Sequence, residues 1–93
     1  MHHRINISIP FFTAIVDGRK NFEIRRDDRG FQAGDTITLS EYDYRPDKLG
    51  HTGRAVTATI GYVSSFEQQP GYVVFSLLNT REVSNEQKGI KLR

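Results

Sequence analysis

The sequence predicts a small α+β domain: a β-barrel-like sheet of mostly antiparallel strands, with one short helix after the first strand. Three observations predict it. Most of the chain alternates apolar with polar residues, the period of half-buried strands, and only Pro10 to Asp17 switches to helical spacing. Glycine and proline signals cut the chain into the order β-α-β-β-β-β, without the repeated crossover helices of a doubly wound sheet. Its 93 residues suffice for one modest core and not for two.

Arg4 to Ile9 reads as a strand, with the β-branched Ile5, Ile7 and Ile9 on one face. Pro10 suits a first helical turn, where its missing amide hydrogen is not needed. Phe11 and Ile15, then Phe12 and Val16, fall four apart, and Gly18 supplies the stop, so the helix spans Pro10 to Asp17. Phe11, Phe12, Phe31 and Phe75 read as core. Asn21 to Arg26 is a strand with Phe22 and Ile24 on its buried face, followed by a polar loop, Asp27 to Gly30. Gly34-Asp35 turns into a strand over Thr36 to Tyr42, with Ile37 and Leu39 opposite Thr36, Thr38 and Ser40. Asp28 and Asp35 read as turn caps. Asp43 to Gly53 reads as a loop, longer than ordinary connections and therefore a candidate for function. Arg54 to Val63 is a long strand in which Gly61 marks a bulge or a close backbone approach. Pro70-Gly71 turns into Tyr72 to Leu78, apolar enough for a central strand buried on both faces. Residues 79–93 are polar and aperiodic, a C-terminal tail or peripheral helix, which leaves residues 1–78 as the single domain.

Composition excludes several classes of function. The chain has no cysteine, so disulfides, thiol catalysis and thiolate metal sites are out, in keeping with a reducing compartment. No apolar run is long enough for a signal-peptide core or a bilayer span. The chain reads as a cytoplasmic protein with no membrane partner. A formal charge of +2 and a pI near 9.2 are too slight to define a nucleic-acid binder. The distribution of charge says more than its sum: Lys88, Lys91 and Arg93 read as a solvated end, but residues 18–29 pack five cations and three anions into twelve positions. There Glu23 and Arg25 share one side of the expected strand, about 7 Å apart along it. With Lys20 on the preceding glycine turn, they form a constellation suited to an anionic or hydrogen-bonding ligand. The plainer alternative is an ion pair that ties two strands together.

Gly18-Arg19-Lys20-Asn21-Phe22-Glu23-Ile24-Arg25 fits the Gly-x-Lys-x-x-Glu-x-Arg signature of the ASCH domain, a branch of the PUA-like β-barrel superfamily. His3, Asp27-Asp28-Arg29-Gly30-Phe31, Gly34-Asp35, Glu41-Tyr42, Thr52-Gly53-Arg54 and Gly71-Tyr72-Val73-Val74 extend the likeness. Together they resemble a compact bacterial or phage subgroup known as DUF3850, over about residues 3–78. The resemblance implies a PUA-like barrel and a module that binds RNA or a nucleotide-like ligand. It also raises a hydrolase alternative, because some ASCH proteins are proposed single-strand ribonucleases and others deacylate N4-acetylcytidine with a lysine, a threonine nucleophile and an acid. The lysine corresponds to Lys20. Glu23 stands at the threonine position, so the threonine mechanism does not carry over.

For binding, Lys20, Arg25, Arg29 and Arg54 are the candidate phosphate contacts, Glu23 belongs to the same cleft, and Tyr42, Tyr44 or Tyr62 offers a stacking face. For hydrolysis, Glu23 would be the general base and Lys20 the oxyanion or phosphorane partner, with Arg25 orienting Glu23 or clamping the substrate. No metal or cofactor is expected: His2, His3 and His51 are too scattered for a zinc site. His3 is instead a candidate for the cleft wall. Ser64-Ser65 lacks the partners of a serine nucleophile. The Tyr42 to Tyr44 region is also a candidate contact for a protein partner.

Overall fold

Alternating β-branched residues draw the chain out from its second position. The computed structural model describes residues 1–83, where β1 spans His2–Ser8, α1 Ile9–Val16, β2 Phe22–Arg26, β3 Thr36–Asp43, β4 Gly50–Ser64 and β5 Tyr72–Val83. The helix begins and ends one residue before the expected limits. Gly18 takes a left-handed φ of 82°, and the Arg19 and Lys20 amides both donate to the Ala14 carbonyl, at 2.9 and 3.0 Å. This closes the helix in the manner of a glycine cap and delivers Lys20 straight to the start of β2.

The strands form one five-stranded sheet, ordered β1-β3-β4-β5-β2, that curls into a half-barrel. β1 runs parallel to β3, with Ile5 beside Leu39, and the other neighbours are antiparallel. Ile5, Ile7, Ile37, Leu39, Val56, Ala58, Ile60, Val73, Phe75 and Leu77 line the concave face, and α1 adds Phe12 and Ile15 to this core. Phe12, Phe31 and Phe75 are buried as expected. Phe11 is not: it is 55% exposed, turned off the core by its place on the outer side of a two-turn helix.

Three further expectations need correction. β2 alternates, but its buried side is the charged one: Glu23 is 4% exposed, whereas Phe22 and Ile24 are 40% and 51% exposed. The register with β5 explains the inversion. Glu23 and Arg25 lie opposite the inward Phe75 and Val73, and Phe22 and Ile24 lie opposite the half-buried, outward Ser76 and Val74. For the same reason β5 is not buried on both faces: no layer of the described residues covers the outer side of the sheet, so Tyr72 to Leu77 alternate between half-buried and buried, and Leu78 to Glu82 are exposed. The long 43–53 loop shrinks to residues 44–49, because Asp43 pairs with Gly50 and Tyr42 with His51. Ladder pairing overrides weak strand propensity there.

The polar stretch after Leu78 also continues as strand. Asn79 adopts a left-handed φ of 54° at a shift in the β4–β5 register, after which Arg81, Glu82 and Val83 pair with Thr57, Val56 and Ala55. Asparagine tolerates that conformation, and the bulge lets the strand resume. Residues 84–93 of the expected tail lie outside the described residues.

Gly61 marks a second shift, between Ile60 and Val63. A Cβ there would stand 2.6 Å from Ser76 Oγ and 2.8 Å from Leu78 Cδ1. The close approach read from the sequence is real, and it leaves room for the Tyr62 amide to donate to Ser76 Oγ at 2.9 Å. Gly61→Ala is therefore expected to destabilise the domain by about 1–3 kcal/mol, the usual cost of overpacking, as measured by urea unfolding. An unchanged midpoint would show that Ser76 and Leu78 yield freely.

Candidate functional site

The half-barrel leaves its two edge strands, β1 and β2, facing one another without pairing. Between them lies a cleft of about 720 Å³. Its charged lining consists of Lys20, Arg25, Arg26 and Arg29 against Glu23 and Asp28, an excess of two cations. Phe11, Phe22, Phe31, Tyr44 and Tyr72 supply aromatic surface, and Asn6 and Ser8 supply polar groups from β1.

Glu23 organises this wall. Its side chain is 5% exposed and meets Lys20 Nζ through Oε1 and Arg25 Nε through Oε2, the latter at 2.7 Å. A carboxylate this deep is costly unless paired and hydrogen-bonded, and here both oxygens are engaged by cations. Lys20 Nζ also donates to the Phe22 carbonyl at 2.7 Å and lies 4.9 and 5.4 Å from the Phe22 and Phe11 ring centres, within cation–π range. Arg25 reaches across the cleft, donating from Nη2 to the Asn6 carbonyl at 2.7 Å. Arg29 does the same further along, from Nη1 to the Arg4 carbonyl at 2.6 Å. These two guanidinium groups satisfy edge carbonyls of β1 and bridge the gap that strand pairing leaves open. Arg26 lies over the Tyr72 ring at 5.3 Å.

The fold thus brings together Lys20, Glu23, Arg25 and Arg29 of the residues singled out from sequence. Of the tyrosines offered as stacking faces Tyr44 joins them, whereas Arg54, Tyr42, Tyr62 and His3 do not line the cleft. Arg54 is held by Glu82 at 2.8 Å and stacks over Phe12 at 5.0 Å, in the lining of a separate groove. Tyr62 projects from the β4 bulge, 73% exposed and outside the cleft. Tyr42 stands one ring away, packed on Tyr44 with 4.6 Å between centres, and Tyr44 is the ring that borders the cleft. His3 is not a wall residue: it is 3% exposed, bonded to Asp35 Oδ2 at 2.8 Å and packed on Phe31. β1 turns its inward positions toward the core, and only Ile5 to Ser8 reach the cleft. Asp35 accepts from the Gln32 amide as a turn cap, whereas it is Asp27, not Asp28, that caps the preceding loop, through the Phe31 amide.

Sequence reasoning left Tyr72, Arg26 and Asn6 without a site role. Tyr72 pairs across the ladder with Arg26, a juxtaposition visible only once the β2–β5 register is known. Asn6 contributes its backbone carbonyl, which carries no side-chain signal.

Beside the cleft, Asp43 begins the β3–β4 connection. Hydrogen bonds from the Arg45 side chain and amide hold its carboxyl well below the usual range, down to about 2. The His3 hydrogen bond likewise lowers Asp35. A carboxyl lowered on folding contributes stability above its unfolded value of 3.8 and loses it as pH falls toward the folded value. Asp43→Asn is expected to be less stable than the parent at neutral pH and to converge with it on acidification from about pH 4 to about pH 2. Parallel stability curves through that window, recorded by thermal melting, would remove the role given to Arg45.

Among the described residues, no group of three or more histidine and carboxylate side chains is placed to hold a metal ion, and no helix is long and apolar enough to cross a membrane. Residues 2–77 match the family model described as a domain of unknown function, DUF3850. The chain belongs to the DUF3850 family. The matched stretch of this DUF3850 domain contains every residue that lines the cleft. The chain is also similar to an uncharacterised 12.9 kDa protein from the GpA 3′ region of Escherichia phage P2, at 33% identity over 58 residues. That alignment takes in 62% of this DUF3850 chain, which spans about half, 50%, of the phage protein.

Proposed function

We propose that this DUF3850 domain is a PUA-like module of the ASCH type whose cleft binds single-stranded RNA or a nucleotide-like anion. The observation that carries the reading is the grouping of four cations and several aromatic faces around one buried carboxylate. Cations attract phosphates, and unpaired bases stack on rings. Glu23 holds Lys20 and Arg25 in fixed positions, so little side-chain freedom is lost when a ligand arrives. The Gly-x-Lys-x-x-Glu-x-Arg segment and the curled sheet agree with this assignment.

The test is a titration of a labelled oligouridylate into the intact protein at several salt concentrations. The logarithm of the affinity is expected to fall by about 0.7 per decade of salt for each phosphate contacted, and Lys20→Ala is expected to reduce both affinity and slope. Affinity that is flat with salt would sink the proposal.

The contact between Lys20 and Glu23 favours one second reading, hydrolysis of RNA or of a modified nucleoside. Glu23 would then accept a proton from water or a ribose hydroxyl, and Lys20 would stabilise the developing negative charge. Incubation with single-stranded RNA and with an N-acylated cytidine tests it: both substrates recovered intact would leave binding alone.

A further inference from the structure

The cleft continues onto a second surface. Tyr44 borders the cleft, Tyr42 packs on Tyr44 with ring centres 4.6 Å apart, and His51 meets Tyr42 edge-on at 4.9 Å. This ridge leads from the cleft mouth to the outward face of β1, β3 and β4. There a separate groove of about 380 Å³ is lined by Arg4, Thr38, Ser40, His51, Thr57 and, at its edge, Arg54, whose guanidinium is paired with Glu82. Asn6 joins the two places: its backbone carbonyl accepts from Arg25 in the cleft, and its side-chain Oδ1 is bonded to His51 Nε2 at 2.9 Å.

The chemistry of this face is one-sided. The outward positions of β1 hold His2, Arg4, Asn6 and Ser8, those of β3 hold Thr36, Thr38, Ser40 and Tyr42, and β4 adds His51, Ala55 and Thr57. None is a carboxylate. Arg4 has no hydrogen-bond or ion-pair partner for its side chain among the described residues, and Arg81 stands opposite Thr57 on the same face. Apart from the Glu82 carboxylate that Arg54 holds at the groove's edge, the face carries cations and hydroxyls, whereas mixed signs are usual on exposed surfaces.

We infer that this face is a second subsite, and that one RNA strand runs from the cleft over the Tyr44–Tyr42–His51 ridge into the Arg4 groove. The inference rests on the RNA reading of the cleft and adds to it that the ligand is a polynucleotide, not a lone nucleotide. Tyr42 and His51 offer stacking faces to successive bases, Arg4 and Arg81 meet phosphates, and the Ser40 and Thr57 hydroxyls are placed to bond ribose or phosphate oxygens, the Thr36 and Thr38 hydroxyls being engaged by the His2 ring.

Fluorescence anisotropy with two labelled oligouridylates, a trinucleotide and a strand of about ten nucleotides, tests the inference. The longer strand is expected to bind about tenfold or more tightly and with a steeper salt dependence. Arg4→Ala and His51→Ala, both at exposed positions and checked for unchanged melting, are each expected to shrink that length preference severalfold. Arg4→Ala is also expected to reduce the salt slope for the long strand by about 0.7. Lys20→Ala weakens both probes. Equal affinity for the two lengths, or a length preference untouched by Arg4→Ala and His51→Ala, overturns the second subsite while leaving the cleft reading intact. Failure of both probes to bind overturns the cleft reading and the second subsite with it.

Discussion

Glu23→Ala is expected to lower the unfolding free energy by about 3 kcal/mol, a large fraction of the 5–15 kcal/mol typical of a whole domain. Removing one partner from a buried ion pair costs about 3–5 kcal/mol because the remaining charge stays buried and uncompensated. The lower end applies because the Lys20 and Arg25 side chains keep 14% and 31% of their exposure and can recover some hydration. Two cations would then face each other across an empty place, and Arg25 would lose the contact that aims it at the Asn6 carbonyl. Glu23→Gln, which keeps an acceptor but not the charge, is expected to fall between the parent and Glu23→Ala. Urea unfolding with an unchanged m-value provides the measurement. A loss under about 1 kcal/mol would make the triad worth no more than a surface pair and would withdraw its organising role.

Two neighbouring phenylalanines are expected to behave as opposites. Phe12 is fully buried, with the Arg54 guanidinium over its ring, so Phe12→Ala should cost about 3–5 kcal/mol through lost transfer energy and the cavity left behind. Phe11 is 55% exposed, and its ring faces Lys20 at the mouth of the cleft. Phe11→Ala should change stability by about 0.5 kcal/mol or less and, on the proposed RNA-binding reading of the cleft, weaken binding instead. Unfolding and anisotropy measurements on the two variants separate the cases. A Phe11→Ala protein as unstable as Phe12→Ala would return Phe11 to the core, where its spacing in the sequence had placed it.

That pair shows what the sequence conveys and where it stops. Spacing locates the helix to within a residue, yet in two turns both Phe11 and Phe12 fall near the apolar side, and only packing decides which enters the core. β2 is the sharper example. Its alternation is plain in Phe22, Glu23, Ile24 and Arg25, but hydrophobicity assigns the wrong face to the interior. The side that enters is fixed by the register with Phe75 and Val73, a pairing between distant segments that no local pattern encodes. The Lys20, Glu23 and Arg25 cluster was legible because its members are close in the chain. Arg54 and Tyr62 show the converse: their chemistry suits a site, but the strands place both outside the cleft lining, Arg54 in that of the second groove. The bulge at Asn79 hid the second half of β5, since a left-handed asparagine within polar residues reads as the end of a strand.

The strand order has a consequence for how the protein comes into being. β2 follows the helix directly in the chain, but its hydrogen-bonded neighbour is β5, with Ile24 beside Val74. Contacts between such separated segments are late and slow to form because the intervening chain must first be ordered. A nascent chain or a proteolytic fragment that stops before Tyr72 therefore contains the whole Gly18 to Arg25 segment and has no strand against which to hold it. The charged wall of the cleft takes shape only after β5 has been made and has paired with β2.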